Sequence, residues 1–358
     1  MLYRPVKIGT LELPGNLFLA PVAGYTDRAF RSLCAEQGAN LSFTELISAE
    51  AVYRKPFRYG LGEAGAGEAV PSAVSLISRG EVEKQGATKA ADADKAADAT
   101  KSAYAIQLFG SEPETIYRAA TLLAPLRPDA VDINAGCPVP KVVKNGAGSA
   151  LMKNPALLGK IIDAAARAAR EFLGNAPVTV KIRSGWDCST INYTECARIA
   201  AEAGAAMISL HPRTRSQGYG GSSNWEHIAE LVSRVQVPVC GSGDLYTPED
   251  ARRMLQETGC AAVMFARGAM GRPFIFSQTA SLLHSGAWQP ATFNAAMSAA
   301  LRHLEMLAAC IGERMACLEM RKQFCAYSKG YTGSAALREK IVHAETIEEY
   351  RGIIGELN

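Results

Sequence analysis

Three side chains with usable chemistry stand in or just beyond apolar runs. Cys137 follows Ala130-Val131-Asp132-Ile133 after the turn residues Asn134-Ala135-Gly136, and Pro138 stiffens the exit. Lys181 sits inside Val178-Thr179-Val180-Lys181-Ile182-Arg183, and His211 closes the run from Ala206 to Leu210. A thiol has an ordinary pKa of about 8.5, so at neutral pH it is mostly protonated and can serve as a general acid. A lysine among β-branched residues must snorkel or find a partner. At the mouth of a barrel it can stabilise negative charge as that charge develops. A histidine followed by Arg213 and Arg215 suits phosphate recognition. Each also has a plainer reading. An isolated Cys is usually a small buried hydrophobe, a strand-end His a structural residue, and an internal Lys half of a core ion pair. What favours chemistry is the shared setting, because the C-terminal ends of buried strands are where an α/β barrel places its active site.

The elements that must position these residues follow from the pattern of apolar runs. Runs at 17–23, 41–45, 104–110, 130–133, 178–183, 206–210, 237–244 and 261–266 read as eight strands, the seventh including its loop. They alternate with helical segments whose starts carry caps: Thr26 or Asp27, Asn154 ahead of Pro155, and Thr247. The order predicts an α/β protein, a (β/α)₈ TIM barrel, preceded by a small hairpin lid at 6–13. Such a barrel takes about 250 residues, so the 358 residues divide into a catalytic barrel at 1–284 and a small C-terminal helical domain at 285–358. In the tail Met297, Leu301, Leu304 and Leu307 recur at near-helical spacing. Residues 60–103 interrupt the alternation. They are rich in Gly and Ala, and from Gly86 they alternate Ala with Lys and Asp, which reads as an inserted, solvated spacer.

The totals exclude several classes. Hydrophobic residues make up 48% of the chain, enough for a sizeable core. The net charge of +3 is too mild to diagnose nucleic-acid binding, although a local basic face is compatible with it. Nine cysteines without a CxxC pair give no zinc spacing, and no metal is expected. There is no signal-like start and no apolar run long enough for a bilayer, so a cytoplasmic protein with reduced thiols and no membrane partner is expected. No GxGxxG follows a strand, which argues against a dedicated dinucleotide domain.

The stretch Asp132-Ile133-Asn134-Ala135-Gly136-Cys137-Pro138-Val139-Pro140-Lys141-Val142, followed by Gly148-Ser149-Ala150-Leu151-Met152, resembles the signature of the tRNA-dihydrouridine synthases. These are FMN enzymes that reduce specific uridines in transfer RNA. The likeness extends from about Leu17 to Leu337, broken by the insertion. It takes in Pro21 to Asp27, Glu45 to Ser48, Lys181 to Trp186, Arg213 to Tyr219, and Met320 to Ser334. The departures are Ala135, Ser242, Ala266 and the pair Cys325-Ala326, where the family usually carries a larger residue, Asn, Gly and bulkier residues respectively.

The resemblance implies roles. Pro21, Val22 and Ala23 would face the flavin with their backbone, Gln107 would meet the ring edge, and Lys181 would stabilise the negative end of the reduced ring. His211 would contact flavin or uracil. Ser242, Gly243, Asp244, Ala266 and Arg267, in the loops after the seventh and eighth strands, would hold the phosphate. Glu45 is a weaker candidate. Cys137 would protonate C5 of uridine, with NADPH (or NADH) as the reductant visiting the flavin transiently. Lys141 beside the thiol would depress its pKa and oppose an acid role, so Lys141 is expected to face substrate or RNA phosphate, together with Asn134 and Arg213. Arg321, Lys322, Lys329 and Arg338, interleaved with Phe324, Tyr327 and Tyr331, would grip transfer RNA from the tail. No stable protein partner is implied. Two rivals remain at this stage: an FMN barrel acting on a small molecule such as a free pyrimidine, and a non-catalytic RNA-binding protein that retained the barrel.

Overall fold

The fold is given by a computed structural model that describes residues 2–61, 70–79 and 103–356. The chain opens with an antiparallel hairpin, β1 (Val6–Ile8) and β2 (Leu11–Leu13). The barrel strands are β3 (Leu17–Leu19), β4 (Leu41–Phe43), β6 (Tyr104–Phe109), β7 (Ala130–Ala135), β8 (Val178–Gly185), β9 (Ala205–Thr214), β10 (Val239–Ser242) and β11 (Ala262–Phe265). Each pairs in parallel with its neighbours, β4 with β6 and β11 with β3, so the sheet closes on itself. The two-residue β5 (Ile47–Ser48) adds to β6 beyond β4. The expected second strand is therefore split. It leaves the ladder at Thr44-Glu45-Leu46 and resumes at Ile47. The first strand is also shorter than expected, because Pro21 begins a turn in which Thr26 Oγ1 accepts from the Val22 N–H at 3.0 Å. The sixth is longer and carries His211 and Arg213 inside it.

The helices on the outside are α1 (Arg28–Glu36), α2 (Ala49–Arg54), α3 (Pro71–Ile77), α4 (Pro113–Leu122), α5 (Pro140–Val143), α6 (Pro155–Phe172), α7 (Tyr193–Glu202), α8 (Glu226–Arg234), α9 (Pro248–Thr258) and α10 (Ile275–Ser285). Asp27, Asn154 and Thr247 cap α1, α6 and α9 through side-chain oxygens, and Thr247 forms a reciprocal capping box with Asp250. The low-complexity run from Gly86 falls almost wholly outside the described residues. The part of the expected insertion that is described is not mere spacer: α3 forms there, and Leu61 and Ile77 are buried in the core.

Strand alternation sorts the side chains into two sets. Outward residues such as Ile106, Val131, Ile133, Val180, Ile182 and Leu210 pack under the helices. Inward residues at the N-terminal end, among them Phe18, Leu41, Ala105, Ala130, Met207 and Ala262, form a separate apolar cluster with Val6, Ile8 and Leu13 of the hairpin. The hairpin thus plugs the bottom of the barrel. Farther along the same strands the inward positions turn polar: Gln107, Asp132, Asn134, Thr179, Lys181, Arg183, Ser209 and His211. The interior is a dry floor under a polar mouth.

After Ser285 the described chain is helical: α11 (Phe293–Ile311), α12 (Glu313–Tyr327), α13 (Ser334–Ile341) and α14 (Ile347–Gly355). α11 and α12 pack as a hairpin about Gly312, and α11 lies against α1 and α3. Buried His303 of α11 crosses the seam. Its Nε2 is 3.1 Å from both carboxylate oxygens of Asp27, and its Nδ1 is 3.3 Å from the Tyr327 hydroxyl. Among the described residues no helix is long and apolar enough to cross a membrane.

Candidate active site

The polar mouth encloses a cavity of about 310 Å³. Of the residues expected to serve chemistry or cofactor, Cys137, Pro21, Val22, Ala23, Gln107, Lys181, His211, Ser242, Gly243, Asp244, Ala266 and Arg267 all line it, as does Asn134. Leu46, Val139, Arg183, Tyr219 and Tyr246 line it as well.

One hydrogen-bonded chain runs across the strands to the thiol residue. The Thr179 hydroxyl donates to Asp132 Oδ1. Gln107 Nε2 donates to Asp132 Oδ2 at 2.7 Å, and Asn134 Nδ2 donates to Gln107 Oε1 at 2.9 Å. Asn134 Oδ1 then accepts the backbone N–H groups of Gly136 at 3.1 Å and Cys137 at 2.8 Å. This Asx-type brace fixes the turn after β7. Burial raises the Asp132 carboxyl to about 6, against the pull of its bonds from Gln107 and Thr179. Arg183 holds the same turn from the other side. Its Nε donates to Gly136 O at 2.8 Å, and Nη1 donates to Thr214 O at 2.9 Å and Gly218 O at 3.1 Å.

The electrostatics suit an acid beside a cation. Burial pushes the Cys137 thiol up, with smaller opposing effects from the Val139 N–H, Arg183 and Lys181. Lys181 falls to about 8 through burial and the neighbouring Arg183. No carboxylate among the described residues lies within ion-pair distance of Lys181. His211 drops to about 2 through burial and the surrounding cations, so its imidazole is neutral. Lys141 is exposed on α5 and does not line the cavity.

The loops after β10 and β11 close the far side. Gly243 has φ +107°, and a Cβ there would lie 2.4 Å from Ser223 Oγ and 2.9 Å from His211 Cδ2, so only glycine fits the turn. Arg267 lies between two aromatic rings, 4.5 Å over Tyr219 and 5.2 Å over Tyr246, and pairs with Asp244 at 3.1 Å. Arg213 is placed differently from the expectation that it meets substrate. It is 2% exposed, and its guanidinium is spent on Asp244 at 2.9 and 2.8 Å, Ser223, and the carbonyls of Gly220 and Gly221. It shapes the loop that carries Tyr219.

A second groove of about 830 Å³ adjoins the first, sharing Tyr246 and Arg267 with it. Lys322 and Lys329 of the tail line it, as do Tyr327 and Tyr331. Arg321 and Arg338 do not. Arg321 donates to Ala344 O at 3.4 Å, and Arg338 to Ser334 Oγ at 3.2 Å. The tail also grips the first barrel turn. Gln323 Nε2 donates to Gly24 O at 3.3 Å, while the Gly24 N–H donates to Glu45 Oε2 at 2.7 Å.

Sequence reasoning passed over Asp132, Thr179 and Arg183 as site residues. The signal was present, since they stand two residues from Asn134 and Lys181 and therefore share their face of the strand. Tyr219 and Tyr246 lie in loops, where no periodicity points inward.

Comparison with known proteins agrees with this geometry. A family model described as dihydrouridine synthase matches residues 18–60 and 52–354. A probable tRNA-dihydrouridine synthase of Treponema pallidum is 44% identical over 358 residues, covering 99% of this chain and 96% of that one. The tRNA-dihydrouridine synthase B of Xanthomonas axonopodis pv. citri is 34% identical over 342 residues, covering 95% and 92%. Among solved structures, the old yellow enzyme homologue from Zymomonas mobilis superposes with a TM-score of 0.52 at 12% identity, covering 82% of this chain and 96% of that one, which is a likeness of fold. Barrel, site and relatives together define a flavin-dependent oxidoreductase. The chain belongs to the dihydrouridine synthase family, matched over nearly its whole length.

Proposed function

We propose that this enzyme reduces the C5=C6 bond of uridines in transfer RNA, using FMN and NADPH, with Cys137 as the proton donor. The observation that carries the reading is the thiol at the cavity wall, kept protonated by burial and braced by Asn134. The residues present fit FMN. A half-buried ammonium at Lys181 without an ion-pair partner among the described residues suits a ring edge that gains negative charge. The Gly243 turn and Arg267 suit a phosphate at the loops after the last two strands. Pro21, Val22, Ala23, Gln107, Lys181, His211, Ser242, Gly243, Asp244, Ala266 and Arg267 would hold the cofactor. Held there, FMN would supply hydride transfer from NADPH to C6 of the uracil ring.

Everything else falls to the chain. Cys137 gives its Sγ proton to C5, so hydride and proton together saturate one carbon–carbon bond, and the thiolate is reprotonated from solvent. Neutral His211 adds no further positive charge beside Lys181 and Arg183 and remains available as a hydrogen-bonding partner. Tyr219, Arg267 and Tyr246 line the mouth. A uridine inside a folded RNA reaches C5 and C6 chemistry only after leaving its stack. The adjoining groove, with Lys322 and Lys329 on its wall, suits the flanking backbone. A free pyrimidine would need no such groove, which favours RNA over the small-molecule reading. The test is dihydrouridine content of undermodified transfer RNA after incubation with NADPH. Product is expected with the wild type; a flavin reduced by NADPH without product would turn the reading to a small molecule.

A further inference from the structure

One of the cations expected to hold RNA from the helical tail is spent on a carboxylate, while Arg321, Lys329 and Arg338 have none within ion-pair distance among the described residues. Lys322 pairs with Glu319 at 2.6 Å, and Arg321 is drawn to the backbone of Ala344. Across the mouth the barrel rim carries a second group of cations without carboxylate partners among the described residues. Lys153 closes the loop after β7, Trp186 follows β8, and Arg215 follows β9. The ammonium of Lys153 lies 3.7 Å from the centre of the Trp186 ring, and the Arg215 guanidinium carbon lies 4.6 Å from it. Among the described residues neither cation has a carboxylate within ion-pair distance, and Arg215 Nε is buried without a hydrogen-bond partner. The acid beside them, Asp187, is occupied by its own turn, taking bonds from the Ser189 N–H and hydroxyl and the Thr190 hydroxyl.

An indole that holds two cations orders them without cancelling their charge, as a carboxylate would. The support is firm. The Arg215 N–H donates to Gly185 O and the Ser216 N–H to Trp186 O, both at 2.9 Å, and Asn192 Nδ2 donates to Met152 O at 2.7 Å. These bonds sew the loops after β7, β8 and β9 together. Lys141 and Lys144, exposed in the same β7 loop as Lys153, add charge without an acid partner among the described residues.

We propose that Lys153, Trp186 and Arg215 form a second phosphate-binding platform for the backbone of the RNA substrate, on the barrel rim across the mouth from the tail groove. The proposal rests on the RNA reading above. Trp186 serves as the holder of the two cations and not as a stacking surface for a base.

The test uses the full-length flavin-loaded enzyme and undermodified transfer RNA, with affinity measured by fluorescence anisotropy over a salt series. Each phosphate contact contributes about 0.7 to 0.9 to the slope of log K against log salt. Lys153→Gln with Arg215→Gln should therefore lower the slope by about 1.4 to 1.8. A slope change of about 1.5 corresponds to about 30-fold weaker binding at 0.1 M salt, with the lines meeting at 1 M. Lys160→Gln with Arg170→Gln on α6 removes the same charge elsewhere and should leave the slope unchanged. Lys153→Arg should bind as the wild type does. NADPH-driven flavin reduction without RNA should be the same in all of them, which reports intact folding and cofactor binding. Equal slopes for wild type and the rim variant, or an equal loss in the α6 control, would overturn the platform and leave the RNA reading standing. Absence of RNA binding by the wild type would overturn both.

Discussion

At the residue scale, Asn134 does as much as Cys137 to define the site. One amide oxygen accepts both N–H groups of the thiol's turn, and the amide nitrogen is tied through Gln107 to Asp132. Asn134→Ala frees that turn. A displacement of about 1 Å costs on the order of 100-fold in a positioned reaction, so the uridine-reduction step should slow by about that factor in single-turnover measurements, while reduction of the flavin by NADPH is unchanged. The titrating groups set a pH profile with a definite sign. Under the proposed reaction Cys137 must hold its proton and Lys181 its charge. Both requirements are met at low pH and fail as pH rises, Lys181 first, through about 8. Single-turnover uridine reduction should therefore fall on the alkaline side from about pH 8. His211, neutral down to about 2, should give no break near the usual imidazole value. A break near 6 that disappears in His211→Asn would contradict that assignment.

At the element scale, the first barrel turn and the tail form one unit. Pro21, Val22 and Ala23 line the cavity on one side, and the turn is held from behind at Gly24 by Glu45 and by Gln323 of α12, and through Asp27 by His303 of α11. Gly271, at φ +64°, brings the segment after β11 against α12 so closely that a Cβ would lie 2.4 Å from Ala326 C and Tyr327 N. Gly271→Ala should separate the tail from the barrel, seen as faster proteolysis near residue 290 with an intact barrel fragment. His303→Ala leaves the Asp27 carboxylate buried without its imidazole and opens a cavity, so it should cost about 3 kcal/mol or more in chemical denaturation. A loss below about 1 kcal/mol would mean that the seam is held by apolar packing alone.

At the scale of the whole molecule, the barrel was legible because eight apolar runs alternate with helical segments, three of whose starts carry capping residues. Gln107, Lys181 and His211 stood out because a polar residue on an otherwise apolar strand must face a mouth or a partner. Strand ends were less legible. The split after Phe43 and the short β3 come from turns stabilised by Glu45 and Thr26 side chains, long-range or local bonds that periodicity does not encode. Arg213 read as a substrate contact because arginines near a strand end suit anions, yet its partner Asp244 comes from a loop 31 residues on. The value of the rim cations likewise depends on which carboxylates lie nearby, and that is a property of the folded chain.

The most direct test of the account combines two readouts on one pair of proteins. Wild type and Cys137→Ala are loaded with FMN, reduced by NADPH, and given undermodified transfer RNA, with flavin absorbance followed and dihydrouridine counted by mass spectrometry. Both proteins should be reduced equally by NADPH, and only the wild type should form dihydrouridine at an appreciable rate. Equal dihydrouridine from Cys137→Ala would contradict the role of the thiol. Equal flavin reduction with no dihydrouridine from either would contradict the RNA substrate.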